Sequence, residues 1–353
     1  MARAHCDSCK HSLLVAFSCK KRGVCPSCSA KRAVKFAEHI YGEILAPVAH
    51  RHIVFSIPKR LRIYFRYDRK LCSILFKAAW ASIASQFNTE QASLGLILTL
   101  QTAGESLNFN PHLHGLVSDG MFAVDGARSP LPALDLELLT REFGERVLGE
   151  LAKRELIDDQ VMSQILSQEH SGFSVWLGEP FQDEQSEKFV ARYVERGPLS
   201  LEKLAVTGDG VSYTTKDGAT HEFDQLEFLA RLSAHIPNSY ESITRYYGYY
   251  SCRARGERKK REMQSQVSKI EPLPESSRKP SSSWAACIKQ IYELDPLECP
   301  KCKAPMRILA FVQDPAEIKK IIKSLGLPDS TAPPPLPNCS NPIAALKGSS
   351  STA

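Results

Sequence analysis

The sequence has no long uninterrupted apolar run. None of its 353 residues falls in a stretch approaching the roughly 18 apolar residues that a membrane helix needs. The first Cys-x-x-Cys pair also precedes any signal-like hydrophobic segment. Charge imbalance is small, with a net charge of +6, and the hydrophobic content of 43% excludes wholesale disorder. We therefore expect a folded, soluble, cytoplasmic protein without a membrane partner.

The net charge suits a polyanionic partner only where positive residues cluster. Their densest cluster lies in nine consecutive residues that contain six Lys or Arg: Arg253, Arg255, Arg258, Lys259, Lys260 and Arg261. A Pro/Ser-rich stretch follows, so we predict that a linker begins here. This basic run is either a solvated linker or a surface that follows DNA phosphates.

The middle of the chain predicts strands interleaved with helices. Apolar runs predict strands at 52–58, 94–100 and 109–117, the last followed by a turn at Asp119-Gly120, and helical spacing predicts a helix at 71–83. A hairpin is predicted at 204–215, then a helix from Asp224 to Pro237 and another from near Ser239. These patterns indicate an α/β or α+β domain of about 200 residues.

The cysteines indicate metal binding more than disulfides. Their number, eleven, is odd, and several form Cys-x-x-Cys pairs among basic residues. The N-terminal pairs have a spacing that can close a tetrahedral Zn²⁺ site, with Cys6, Cys9, Cys25 and Cys28 as ligands. Cys19, His5 and His11 are alternative ligands. A closed site of this kind is structural or docks DNA, and is not catalytic.

His112 and His114 lie two apart in a strand-like segment, so both imidazoles point to one face and can reach one metal. An isolated pair of this kind is more often hydrogen-bonded or on the surface. The second feature is the cluster Tyr246-Tyr247-Gly248-Tyr249-Tyr250. On a helix, Tyr246 and Tyr250 would share one face, although such aromatic clusters usually belong to a core.

Together the two features provide what cleavage of a phosphodiester without hydrolysis needs. A divalent ion polarises the phosphate, and a phenol attacks it to give a phosphotyrosine that conserves the bond energy. A second tyrosine would permit a second transfer.

The order of these motifs resembles a known family. The sequence contains FSCK, CPSC, NPHLHG, RYYG and LECPKC, beginning at Phe17, Cys25, Asn110, Arg245 and Leu297. It is similar over nearly its whole length to transposases of the insertion sequence 91 family, which belong to the HUH superfamily of single-strand nucleases.

The resemblance implies a transposase that binds DNA, cleaves single strands through a phosphotyrosine and rejoins them in rolling-circle transposition. His112 and His114 would hold Mg²⁺ or Mn²⁺, with Gln101 or Glu105 nearby as a third ligand. Tyr246 and Tyr250 would be the nucleophiles, with Tyr247 as an alternative. The protein would associate with the nucleoid when bound to DNA.

The expected fold is α+β, with an HUH-type antiparallel-sheet nuclease domain between a zinc ribbon and a small Cys-containing module. The predicted segments are a zinc-binding domain at 1–33, the nuclease domain at 45–252, a linker at 253–283, a CPxC module at 284–328 and a disordered tail at 329–353. Cys299 and Cys302 are half a zinc site, to be completed by Cys287, Cys339 or another chain, or they form a tight turn without metal.

Two other functions fit parts of the sequence. A non-catalytic zinc-ribbon DNA-binding protein derived from a truncated transposase would explain the cysteines and the basic run. A redox or metal-sensing protein would leave the His and Tyr motifs unexplained. A covalent adduct between protein and oligonucleotide that needs a divalent ion separates the enzyme from the binding module.

Overall fold

The structure is a computed structural model, and it describes residues 2–15, 25–87, 92–123, 127–168, 171–181, 197–199, 203–208, 210–215, 217–267, 297–312 and 314–326. Two compact units emerge. The first combines residues 1–21 with 277–353, and the second comprises residues 22–276. Helices and antiparallel strands occur together, so the α+β class predicted from the sequence is confirmed.

The first unit contains a three-stranded antiparallel sheet that joins the two ends of the chain. Its strand order is β12-β1-β2, with β1 (Ala2–Cys6), β2 (Ser12–Val15) and β12 (Met306–Phe311), followed by a helix at Pro315–Ser324. Ala2 pairs with Phe311 and Cys6 with Met306. The N-terminal and C-terminal modules, predicted as separate segments, thus share one sheet.

The second unit is built on a six-stranded antiparallel sheet. Its main path is β11-β4-β5-β3-β7, with β6 paired to β5. The strands are β3 (His50–Ser56), β4 (Ala92–Ala103), β5 (Phe109–Ala123), β6 (Arg128–Pro130), β7 (Ser174–Pro180) and β11 (Thr244–Gly248). The three predicted strands correspond to β3, β4 and β5.

Helices accompany this sheet. They are α1 (Pro26–His39), α2 (Arg62–Tyr67), α3 (Cys72–Ala84), α4 (Leu136–Ala152), α5 (Asp159–Leu166), α6 (Gln225–Ser233) and α7 (Cys252–Val267); the helix of the first unit is α8. The main core lies between one sheet face and α3 and α4, where Leu75, Phe143 and Leu98 are buried. Burial of such side chains stabilises the fold by about 1.5–3 kcal/mol each.

A smaller sheet of β8 (Leu204–Thr207), β9 (Gly210–Thr214) and β10 (Thr220–Asp224) precedes α6. The predicted hairpin and helix start are confirmed here. The side chain of Asp224 accepts hydrogen bonds from the N–H groups of Leu226 and Glu227, which otherwise lack partners at a helix N-terminus.

Three local predictions were wrong. The chain does not turn at Asp119-Gly120: β5 continues to Ala123, because its backbone goes on pairing with β4 and β6. No helix begins near Ser239. Instead β11 pairs along β4, which satisfies backbone groups on that side of the strand. Finally, the predicted linker begins as α7, whose Lys, Arg and Glu content favours a helix.

Candidate active site and metal centre

The candidate site lies on the sheet face opposite the main core, which we call the histidine face. Side chains alternate between the two faces along each strand, so residues paired across neighbouring strands form rows of side chains on one face. One row runs Trp176, Val54, His114, Thr99 and Thr244, from β7 to β11. The next row along β5 contains Ser56, His112 and Gln101, and the row on the other side contains His52, Leu116, Ile97 and Tyr246. The two predicted metal ligands are therefore neighbours on one face, with ring centroids 4.8 Å apart.

His112 is held in one tautomer by the backbone. Its Nδ1 lies 2.7 Å from the carbonyl oxygen of Asn110, which can only accept, so Nδ1 carries the proton and donates it. Burial lowers the pKa of His112 below its ordinary value, and the positive charge of Arg62 acts in the same direction. A neutral ring protonated at Nδ1 leaves the Nε2 lone pair as its metal-ligating atom.

His114 contacts a third histidine that was not predicted as a site residue. Its Nδ1 lies 2.9 Å from Nε2 of His52, and the two rings stack with centroids 5.1 Å apart. Burial lowers the pKa of His52 to about 4, so this ring is neutral at pH 7 and one nitrogen of the pair donates to the other. His50 and His52 repeat the i, i+2 pattern of His112 and His114 at the start of β3, and this spacing was the available signal in the sequence.

Arg62, at the start of α2, brings a positive charge to the region of His112. Its Nε is buried without a hydrogen-bond partner, and among the residues that the structure describes no acidic side chain pairs with it. A partly buried guanidinium without a carboxylate partner favours an anionic ligand. No sequence pattern distinguished it from the other arginines.

The two candidates for a third ligand differ in placement. Gln101 pairs directly with His112 across β4 and β5, so its side chain is on the histidine face. Glu105 is exposed in the turn after β4. The geometry therefore favours Gln101 over Glu105 as the candidate third metal ligand.

The tyrosine cluster forms the end of a strand and a turn, not the predicted helix. Tyr246 pairs with Ile97 and Tyr247 with Leu96, so successive side chains point to opposite faces. Tyr246 is half-buried on the histidine face. Tyr247 lies on the main-core side, where its ring stacks on Trp80 at 5.3 Å and burial raises its pKa.

Tyr250 is fully buried among Ile40, Ile97 and Leu116. Its hydroxyl accepts a hydrogen bond from the N–H of Ala46 at 3.2 Å and lies 2.6 Å from Nε2 of His50. A Cβ at Gly95 would collide with its ring, so this glycine makes room for the phenol. The contacts explain Tyr250 as a structural residue, although its predicted part in strand transfer is untested.

Two of the predicted DNA-contacting arginines on α7 pack on tyrosines. The guanidinium of Arg255 lies 5.2 Å from the ring centre of Tyr246, and that of Arg258 lies 3.6 Å from the ring centre of Tyr249. Arg258 also donates to the carbonyl oxygen of Tyr249 at 2.8 Å. The other four predicted DNA-contacting residues are exposed: Arg253, Lys259, Lys260 and Arg261. The exposed four present positive charge beside the strand that carries Tyr246.

The metal-ligand group in the first unit contains four cysteines from the two ends of the chain. The Sγ atoms of Cys6, Cys9, Cys299 and Cys302 all lie within 4.8 Å of one another. Four thiolates so arranged suit a tetrahedral Zn²⁺ site. The backbone N–H of Cys9 is the main reason that the pKa of Cys6 falls to about 6, and a low pKa favours the thiolate that binds metal.

The two halves of this group have the same backbone geometry. The N–H of Cys6 donates to His11 and that of Lys10 returns to Cys6, while Cys299 donates to Ala304 and receives from Lys303. Lys10 and Lys303 both have positive φ, at 60° and 61°. The repeated turn presents two thiols from each loop, which is what a metal-binding knuckle requires.

The group that the structure brings together differs from the set predicted from spacing, since Cys299 and Cys302, and not Cys25 and Cys28, lie beside Cys6 and Cys9. Cys25 and Cys28 belong to the second unit, where Cys25 is the N-cap of α1 and its carbonyl accepts from Ser29. That pair starts a helix and does not form the turn of the other two pairs. A metal-binding role for Cys25 and Cys28 stays a prediction, and Cys19 lies outside the described residues.

Comparisons with known proteins agree with these features. A family model described as "Putative transposase" matches residues 95–258, which include the histidine face and the tyrosine cluster. A second, described as "Transposase zinc-binding domain", matches residues 1–57.

Two curated relatives are similar over most of their length. A putative transposase, y4qJ, from Sinorhizobium fredii is 26% identical over 88% of this chain and 84% of its own. The transposase for insertion sequence element IS801 from Pseudomonas savastanoi pv. phaseolicola is 24% identical over 86% of this chain and 78% of its own. No solved structure matches the chain. No described helix is both long and apolar enough to cross a bilayer. From the two matched domains and these relatives, the chain belongs to the insertion sequence 91 family of transposases.

Proposed function

We propose that this transposase cleaves and rejoins single-stranded DNA through a covalent phosphotyrosine, as rolling-circle transposition requires. One observation carries the proposal: His112 and His114 are adjacent on the histidine face, and Nδ1 of each has a hydrogen-bond partner. In active metal sites the second ring nitrogen is commonly fixed in this way, which orients the ligating nitrogen.

The donor set fits a divalent metal ion. His112 would bind through Nε2, and so would His114 in the tautomer whose Nδ1 donates to His52. The amide oxygen of Gln101 is the candidate third ligand. Of the two ions predicted, Mn²⁺ suits imidazole ligands better than Mg²⁺ does, because Mg²⁺ prefers oxygen donors. A bound ion of this kind polarises a phosphodiester.

The transfer itself conserves one phosphodiester bond. A phenolic oxygen forms a bond to phosphorus, the phosphorus–oxygen bond to one deoxyribose breaks, and that sugar oxygen leaves as a hydroxyl after taking a proton. The phenolic proton goes to a base, and the reverse reaction with a new hydroxyl rejoins the strand. Arg62, without an acidic partner among the described residues, is placed to bind a phosphate oxygen.

Tyr246 is the member of the cluster that best fits the nucleophile. Its side chain is on the histidine face, and strand spacing puts its Cα about 12 Å from that of His114, two strands across and two residues along. The phenol and the imidazole can approach one phosphate between them. Tyr247 is on the opposite face, and the hydroxyl of Tyr250 is buried against His50.

The remaining parts would hold the DNA. The four-cysteine group would bind Zn²⁺ and so stabilise the fold of the first unit. The exposed Lys and Arg side chains of α7 would contact DNA phosphates. Such a protein acts in the cytoplasm, where it associates with the nucleoid while bound to DNA.

The test is a covalent-adduct assay with labelled single strands from the ends of the element, with and without Mn²⁺. Wild type should give a metal-dependent adduct, and His112→Ala or His114→Ala should reduce it by at least about 100-fold while the variant remains folded. His221→Ala, an exposed histidine on β10, is the matched control. Full activity in either site variant refutes the metal assignment.

Mass spectrometry of the DNA-linked peptide then identifies the nucleophile among all eleven tyrosines. An adduct at Tyr246 that is lost in Tyr246→Phe supports the assignment. An adduct at a tyrosine outside the described residues, Tyr193 or Tyr292, keeps the reaction and refutes Tyr246. DNA binding without any adduct favours the alternative, a non-catalytic zinc-ribbon DNA-binding protein.

A further inference from the structure

Trp176 is an exposed aromatic side chain beside the histidine face. It lies on β7, the last strand of the main sheet path, and 52% of its surface is exposed. A single exposed apolar side chain is common on protein surfaces, so the inference depends on how this ring is held and on what lies beside it.

The ring of Trp176 is held in place. A Cβ on Gly178, two residues along the same strand, would lie 2.8 Å from the indole, so the ring lies over this glycine. Its edge meets His52, with ring centroids 5.5 Å apart and planes at 76°. A fixed aromatic ring loses little conformational entropy on binding and can present one face to a planar ligand.

Trp176 also occupies the row of His114. Two strand spacings separate them, which is about 10 Å between their Cα atoms. That separation is comparable with the reach of one nucleotide from a phosphate at the histidine pair. The guanidinium of Arg62, near His112, adds the positive charge that a polyanionic strand needs.

We infer that Trp176 is a stacking platform for one unpaired base of single-stranded DNA, next to the nucleotide that carries the phosphate at His112 and His114. This rests on the proposed function and deepens it by giving the substrate a base-binding position. Stacking on an aromatic ring is available only to an unpaired base and tolerates every base type. Trp176 therefore selects for an open strand without selecting its sequence.

Binding is measured by fluorescence anisotropy without divalent ions, so that no cleavage contributes. The probes are a labelled oligothymidylate and a labelled duplex, and the variants are Trp176→Ala and Trp176→Phe. Tyr67→Ala, at an aromatic residue 83% exposed on α2, is the matched control. Trp176→Ala should weaken single-strand binding roughly 5- to 150-fold and leave duplex binding unchanged. Trp176→Phe should retain most of the affinity, and Tyr67→Ala all of it.

A crosslinking experiment makes the contact visible in the unaltered protein. Irradiation with an iodouracil-substituted single strand, followed by peptide mapping, should label Trp176. Wild-type affinity in Trp176→Ala, or an equal loss for single strand and duplex, overturns the inference, as does crosslinking that avoids Trp176. If the crosslink and the selective loss appear but no covalent adduct forms with Mn²⁺, the stacking role stands and strand cleavage fails.

Discussion

Replacing Tyr250 by phenylalanine should destabilise the second unit, because its hydroxyl joins a buried histidine to a half-buried backbone N–H. The hydroxyl accepts from the N–H of Ala46 and lies 2.6 Å from Nε2 of His50, while the ring fills the space above Gly95. Phenylalanine keeps the ring and removes only the oxygen. The Ala46 N–H and the His50 imidazole each lose their hydrogen bond to this hydroxyl in a region with little water, which lowers the free energy of unfolding by about 1–3 kcal/mol.

Urea unfolding followed by circular dichroism measures this loss, with Tyr67→Phe as the exposed control expected within about 0.5 kcal/mol of wild type. In the absence of denaturant, at a temperature where the variant is folded, Tyr250→Phe should still form the first covalent adduct. The contrary result is a variant as stable as wild type that no longer completes the second strand transfer. The hydroxyl would then act in the chemistry, as the sequence predicts, and the structural explanation would be refuted.

Three further changes test other parts of the structure. Cys299→Ser should release most of the zinc, about one ion per chain in wild type by atomic absorption, whereas Cys25→Ser should keep it; the reverse pattern would restore the pairing predicted from spacing. His52 should contribute about 2 kcal/mol to the fall in stability from pH 7 to pH 5, because its pKa is lowered to about 4 and it stays neutral while the unfolded chain takes up the proton near the ordinary pKa; an equal fall in His52→Asn would contradict this. Gly95→Ala should cost about 1–3 kcal/mol in urea unfolding, because its methyl group meets a buried ring, while Gly149→Ala on α4 meets nothing and should stabilise the helix slightly; equal effects would contradict the close packing.

The strands that carry the site were predictable because their signal is local. β3, β4 and β5 are runs of apolar and β-branched residues, and the alternation along β5 already placed His112 and His114 on one face. The contact of His114 with His52 was not predictable, since it depends on the register between β3 and β5. Register is a property of the paired strands and not of either sequence alone.

The tyrosine cluster shows why local spacing misleads. Tyr246 and Tyr250 are four residues apart, which fits one helical face, but the segment pairs with β4 and then turns at Gly248, where φ is +54°. The unpaired backbone of β4 decides the conformation, and tertiary pairing overrides the helical pattern. The cysteines mislead for a similar reason, because Cys6 finds Cys302 at a separation of 296 residues while spacing rules consider only near neighbours.

That separation has a consequence for synthesis. β1 leaves the ribosome long before its partner β12 and the second pair of thiols, because these lie far along the chain. At about 5–20 residues per second, the N-terminal strand waits roughly 15–60 s before its sheet can form. A chain that stops before Cys299 lacks half of the thiol group however well its central sheet has folded. Completion of the first unit therefore requires that translation has passed the second pair of thiols, and a product interrupted before them carries a central sheet without a finished zinc site.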